Sequence, residues 1–193
     1  MKKYLFPLIF IVFGCSNTSI VSSWKAPDAT ATPDTFKKVM IAIFVKDEST
    51  RRYAEDRMAK KNEAFYPSYN YFTTQELTQD TDHCQKRMEE EGFDAIITMQ
   101  LVNVEESANY VPGNYSGGYW GYHGMAYSGY YSPGYYTVDQ KYIIATNVFS
   151  LKEDKLLWSG VTSTLNPTSI DQTIEEISAK VKQQMIADKY LQP

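Results

Sequence analysis

Val39-Met40-Ile41-Ala42-Ile43-Phe44-Val45 is an unbroken apolar run. A strand with one wet face alternates, so a run without alternation marks a strand covered on both faces. The segments that follow supply the covers. Asp47-Glu48-Ser49-Thr50 opens a helix over about residues 50–63. Arg51 and Glu55, Arg52 and Asp56, and Asp56 and Lys60 stand four apart on it, and Ala54 and Met58 give a thin apolar stripe. Pro67 ends this region, and Ser68-Tyr69-Asn70-Tyr71-Phe72 reads as a short strand. Thr81 or Asp82 caps a second helix ending at Glu91, with Gly92 suited to the position just past it. Phe93 to Val104 then reads as a third strand. The order β-α-β-α-β predicts parallel strands joined by right-handed crossovers.

The C-terminal third is a hairpin and a helix. Tyr142–Phe149 and Leu156–Thr164 are rich in β-branched and aromatic residues and flank the polar turn Lys152-Glu153-Asp154-Lys155. Ser169 and Gln172 form a capping box. Ile170, Ile174, Ile177, Val181 and Met185 recur at helical spacing to make an apolar stripe. The expectation is an α/β fold: a single mixed-sheet domain over residues 37–193, β-α-β-α-β followed by a β-hairpin and a C-terminal helix. Trp24 and Trp158 read as packing residues.

Residues 110–136 stand apart. They hold seven of the chain's 10 glycines and nine of its 16 tyrosines, with no helical or strand period and almost no charge. Tyrosine and tryptophan offer wide apolar faces with polar tips and little rotamer entropy, which suits contact with a protein or a glycan. The competing reading is a solvated Gly-rich excursion without specific binding. Ligands of open α/β sheets bind outside the carboxyl ends of the strands. A segment leaving the third strand near Glu105 is therefore expected to overhang the rim at Lys46 and Asp47. The candidate binding residues are Tyr119, Trp120, Tyr122, His123, Tyr130 and Tyr131, with Lys46 and Asp47 beneath them.

The N-terminus addresses the chain. Met1-Lys2-Lys3, the apolar stretch Tyr4 to Phe13, and Gly14-Cys15 lay out a secretory signal too short to span a bilayer. Its Gly-Cys ending resembles a bacterial lipoprotein signal, in which the cysteine thiol receives a diacylglycerol before cleavage. This implies residues 1–14 as signal peptide, lipidation of Cys15, and residues 15–36 as lipidated N-terminus and tether. Ser19–Trp24 is able to pair within that tether as a short edge strand. Three acyl chains, palmitate among them, would hold such a protein to the membrane permanently. Ser16 rather than Asp after the cysteine points to the outer membrane, facing the periplasm. Loss of Lys2 and Lys3 with the signal moves the formal net charge from −4 to −6. An acidic surface excludes nucleic acid as a partner.

No catalytic arrangement stands out. The only histidines are His83 and His123, no serine sits in a G-x-S-x-G turn, and no phosphate loop is present. His83 and Cys84 are neighbours on one helix and point apart, and two lone groups are no metal set. Cys84 reads as a buried structural thiol. Neither cofactor nor metal is expected.

Ser23-Trp24-Lys25-Ala26-Pro27, Lys38-Val39-Met40-Ile41, Glu55-Asp56, Gly92-Phe93-Asp94-Ala95, the Tyr/Gly stretch and Leu156-Leu157-Trp158-Ser159, in this order, resemble a family of small uncharacterised lipoproteins of Gram-negative bacteria. The element order is also similar to the α/β domains of the curli-secretion lipoprotein and of the Tol translocation protein's N-terminal domain. The resemblance implies location and fold and supplies no chemistry beyond lipidation of Cys15. Three functions follow as expectations: a non-catalytic envelope lipoprotein contacting another envelope component, a glycan or peptidoglycan binder using the aromatic segment, and, weakest, a hydrolase of unknown substrate.

The lack of periodicity in the Tyr/Gly segment generates a prediction. Replacing residues 112–134 with a short Gly-Ser linker preserves the fold, because loop-closure entropy grows only logarithmically with length. Circular dichroism and thermal melting check it, and a variant that cannot fold would place the tyrosines in the core.

Overall fold

The computed structural model describes residues 17–29, 31–79, 81–111 and 135–192. One six-stranded mixed sheet runs through it. The strands are β1 (Thr18–Lys25), β2 (Val39–Phe44), β3 (Phe65–Pro67), β4 (Ala95–Val111), β5 (Tyr135–Ser150) and β6 (Lys155–Leu165). The helices are α1 (Glu48–Ala59), α2 (Thr74–Gln79), α3 (Thr81–Glu90) and α4 (Ile170–Ala187). Strand order is β1-β6-β5-β4-β2-β3. β2 runs parallel to both β3 and β4, and the remaining pairs are antiparallel. This is the α/β architecture with a terminal hairpin and helix that the sequence predicts.

The apolar run 39–45 does what an unalternated strand must. Val39, Ile41 and Ile43 face one layer with Ala95, Ile97, Met99, Val148 and Trp158, closed by Ala54 and Met58 of α1 and the α4 stripe. Met40 faces the other way, onto Phe72, Cys84, Met88 and Phe93. Cys84 is buried there, as a structural thiol should be. Ile174, Ile177, Val181 and Met185 are buried, whereas Ile170, first in the stripe, is 42% exposed. Ser169 caps α4 by accepting a hydrogen bond from the Gln172 amide at 3.2 Å.

Trp158 is fully buried, and its indole N–H donates to Asp188 at 2.9 Å. Burial alone pushes the Asp188 carboxyl up, but hydrogen bonds from Trp158, Ser23 and Gln184 outweigh it and hold it below the usual range. The Trp158 ring lies over Gly160, where a Cβ would stand 2.1 Å from it, so only glycine fits this strand position. Gly92 is left-handed at φ 74° and ends α3. The Phe93 amide bonds the Met88 carbonyl and the Gly92 amide bonds the Glu89 carbonyl, with Phe93 packed on Met88. That is a Schellman closure.

Several boundaries differ from the sequence reading. The second strand is Phe65–Pro67, and Ser68–Asn70 forms a 3₁₀ turn. Ser68 is buried because α1 holds it there, a tertiary demand that local propensity does not carry. The extra helix α2 precedes α3. Residues 18–25, within the expected tether, are a full edge strand paired with β6, although Trp24 is 49% exposed rather than packed. Trp24 pairs with Ser159 and points to the sheet face opposite Trp158's.

The largest difference is the length of β4 and β5. They pair continuously from Ala95–Ser150 to Val111–Tyr135. β2 stops pairing at Phe44–Gln100, and β6 stops at Leu165–Lys141. Beyond those points the two strands continue as a ribbon of their own, an arm projecting from the sheet. A register shift between Leu101 and Asn103 marks its root, as bulges do where pairing changes.

Ile174 sits 5% exposed at the centre of the α4–sheet contact. Ile174→Asp is expected to cost about 3–5 kcal/mol by burying an unpaired carboxylate. The melting temperature should fall by roughly 10 °C. An unchanged melt would remove α4 from the core.

Candidate functional site

Cys15, Tyr119, Trp120, Tyr122, His123, Tyr130 and Tyr131 lie outside the described residues. Lys46 and Asp47 lie inside them, exposed, between β2 and α1. Asp47 serves as the N-cap of α1: its carboxylate accepts from the Thr50 amide at 2.6 Å, and Thr50 holds it below the usual carboxylate range. The third strand does not end near Glu105. It continues to Val111, so the segment leaves the sheet about 37 Å beyond the row shared with Phe44, at about 3.4 Å per residue. The arm thus moves the root of the Tyr/Gly segment away from the Lys46–Asp47 rim.

The motifs that carry the family resemblance meet one another. Asp94 accepts from the Lys37 and Lys38 amides at 2.9 and 3.1 Å. The Lys38 ammonium lies 4.4 Å from the Phe93 ring centre and bonds the Glu91 carbonyl at 2.6 Å. Lys25 pairs with Trp158, and the Ala26 amide donates to the Leu157 carbonyl at 2.9 Å. These residues join strand ends; none presents a reactive group to a cleft.

Glu55-Asp56 belongs to a denser arrangement. Arg51 is 2% exposed and Glu55 0%, although their spacing alone reads as an ordinary helix-surface pair. Glu55 Oε1 accepts from Arg51 Nε at 3.1 Å, the Ile43 amide at 3.0 Å and Ser68 Oγ at 2.7 Å. Its Oε2 accepts from the Tyr69 amide at 3.0 Å. Arg51 Nη2 donates to Ser68 Oγ and the Phe72 carbonyl, and Nη1 donates to Thr74 Oγ1 and Glu48. Hydrogen bonds from Thr74 and Arg52, with Arg51 alongside, hold the Glu48 carboxyl down to about 2. Beside this network the Tyr69 hydroxyl donates to Asp56 at 2.6 Å. The weak apolar stripe of α1 was the only sequence hint that this helix buries polar groups instead.

His83 stands 3.9 Å from Glu76, and the Cys84 thiol donates to the Glu76 carbonyl at 3.3 Å. Among the described residues no group of three or more His, Cys, Asp or Glu could hold a metal ion.

Two adjoining surfaces of the described residues are candidates for contact. The first is an apolar groove of about 410 Å³ at the carboxyl end of β2. Ile43, Ala54, Leu101, Ile144, Ile170 and Ile174 line it, between the first turns of α1 and α4. The second is the arm, whose faces differ. On one, Glu105 pairs with Lys141 at 3.0 Å and Asp139 accepts from Asn109 and Asn166. On the other, Val104 pairs with Tyr142 and Ala108 with Val138, and Tyr136 follows along β5. Val104, Val138 and Tyr136 on this face are 38%, 59% and 73% exposed. Tyr142 belongs to both surfaces, so the groove and the apolar face of the arm adjoin.

No protein-family model matches the sequence, and no curated protein sequence does. Among solved structures, the chain is similar to the PelC dodecamer from Paraburkholderia phytofirmans, with TM-score 0.39, 6% identity and coverage of 81% of this chain and 89% of that one. It is also similar to the lipoprotein GNA1162 from Neisseria meningitidis, with TM-score 0.42, 12% identity and coverage of 78% and 98%. Both likenesses are of α/β arrangement at low score.

The buried pair generates a prediction. Glu55→Ala leaves Arg51 buried without its counter-charge and is expected to cost about 3–5 kcal/mol. Arg51→Met in the Glu55→Ala background should cost less than it does alone, with a coupling of about 1–3 kcal/mol. Urea unfolding of both single variants and the double checks this; additive losses would mean the two side chains act independently.

Proposed function

We propose that the chain is a non-catalytic envelope lipoprotein, anchored through Cys15 to the outer membrane on its periplasmic side. Its α/β domain presents the arm and the Tyr/Gly segment to another envelope component. The observation that carries the reading is the arm itself. A two-stranded ribbon is marginally stable alone, and this one leaves the sheet with an exposed apolar face. Such a device adds nothing to the core and suits contact. The buried ion pair of Arg51 and Glu55 is consumed by its own members, by neighbouring side chains and by backbone. The groove has apolar walls without converging acids and bases, which supports a binding surface over a reaction site. Binding of glycan by the aromatic side chains of residues 112–134 is the second reading, favoured by their tyrosine content.

Cys15→Ser tests the anchor. The variant is expected to accumulate as unprocessed precursor or to leave the membrane fraction, as read by mass spectrometry and flotation. Normal processing and normal flotation of the variant would overturn it.

A further inference from the structure

The start of β1 and the arm lie at the same end of the sheet. Thr18 begins β1 opposite Thr164 of β6; Thr164 stands opposite Tyr142 of β5, and Tyr142 opposite Val104 of β4. These four residues form one row across the sheet. β1 runs antiparallel to β6 and β6 to β5, so stepping back from Thr18 toward Cys15 follows the direction in which β4 steps from Val104 to Val111. Only Ser16 and Asn17 separate Cys15 from Thr18, and the Asn17 carbonyl is already bonded to the Leu165 amide at 3.0 Å. Three residues of chain reach at most about 10 Å from Thr18, while the arm runs about 24 Å past the row, at about 3.4 Å per residue. Strand spacing places the arm about 10–15 Å to the side of β1. A lipid attached at Cys15 brings the bilayer to this end, and the arm is longer than the gap.

We infer that the outer apolar face of the arm rests on the lipid bilayer and acts as a second membrane contact beside the anchor. This deepens the proposal above and rests on its lipidated Cys15: the envelope component met by the arm is the membrane surface. The chemistry of the two faces fits that placement. The face with Glu105, Lys141, Asp139 and Asn109 keeps its charges paired or hydrogen-bonded in water. The face with Ala108, Val138 and Tyr136 offers apolar surface, with tyrosine, a residue favoured at the membrane interface. Glu106 and Gln140 share that face nearer the root, joined at 2.9 Å, and confine the contact to the outer pairs. The groove of Ile43, Leu101 and Ile170 opens at the same end of the sheet and continues the apolar surface toward the domain.

The test uses the full chain purified from membranes, with acylation of Cys15 read by mass spectrometry, and reconstituted into phosphatidylethanolamine–phosphatidylglycerol vesicles. An environment-sensitive fluorophore is placed on one new thiol at a time: Val138→Cys and Tyr136→Cys on the apolar face, Ser107→Cys on the polar face, and Lys152→Cys at the far end of the sheet. Cys84 is buried and stays unlabelled. A nitroxide-bearing phospholipid should quench the probes at 138 and 136 at least threefold more than the probe at 152, with blue-shifted emission, and the probe at 107 should fall between. Equal quenching at 138, 136 and 152, in protein that is acylated and floats, would overturn the membrane contact and leave the anchor standing; the arm would then belong to a protein or glycan partner. An unmodified Cys15 in protein that does not float would overturn the anchor, and the contact with it.

Discussion

The Arg51–Glu55 pair is the constraint on which the parallel half of the sheet depends. Taking two charges out of water costs several kcal/mol per ion, and a buried pair persists only if each remaining donor and lone pair is satisfied. Here they are. Glu55 receives the amide of Ile43 at the end of β2 and that of Tyr69 in the 3₁₀ turn, and Arg51 reaches the Phe72 carbonyl. One carboxylate thus fixes a strand end, a turn and a helix against each other. It also explains why α1 succeeds with so thin an apolar stripe, since Ala54 and Met58 contribute packing while the ion pair sets position. The first turn of α1 in turn forms a wall of the apolar groove.

The sheet is covered unequally. On one face α1 and α4 close over β2, β4, β5 and β6, and the largest buried side chain, Trp158, lies there. On the other, Cys84, Met88 and Phe93 cover Met40, near β2 and β4. Further along that face the side chains become polar: Asn147 bonds Thr98 at 3.5 Å and accepts from Ser159 at 2.6 Å. A strand face without a helix above it in the described residues thus carries side chains that satisfy one another across strands.

The ends of the sheet differ as sharply as its faces. One end carries the β5–β6 turn and the close of α3. The other carries the start of β1, the mouth of the groove and the arm. β1 begins three residues after Cys15 in the sequence and pairs with β6 from Thr18 to Lys25, broken only by the bulge at Val21. A lipid at Cys15, as proposed, would be joined to the sheet by two residues in place of a flexible tether of some twenty.

Local signals were enough for much of this chain. The unalternated run 39–45, the capping box at Ser169, the stripe from Ile174 to Met185 and Gly92 after α3 all specify their elements through short-range chemistry, and the fold class follows from their order. The Gly14-Cys15 ending specifies the expected address in the same local way. The burial of Arg51 and Glu55 was not legible, because four-residue spacing is equally the mark of a wet helix face and only the packing of Ser68 and Phe72 decides between them. The arm was not legible either. Val104 to Val111 mixes Glu, Ser, Ala and Asn in a pattern that ends a strand as readily as it continues one, and pairing with residues 135–143 across a 23-residue gap is a long-range choice. The sequence by itself determined the fold class and most of the elements in their order. Tertiary structure decided which charges are buried and at which end the apolar surface emerges, because both depend on partners far apart in the chain.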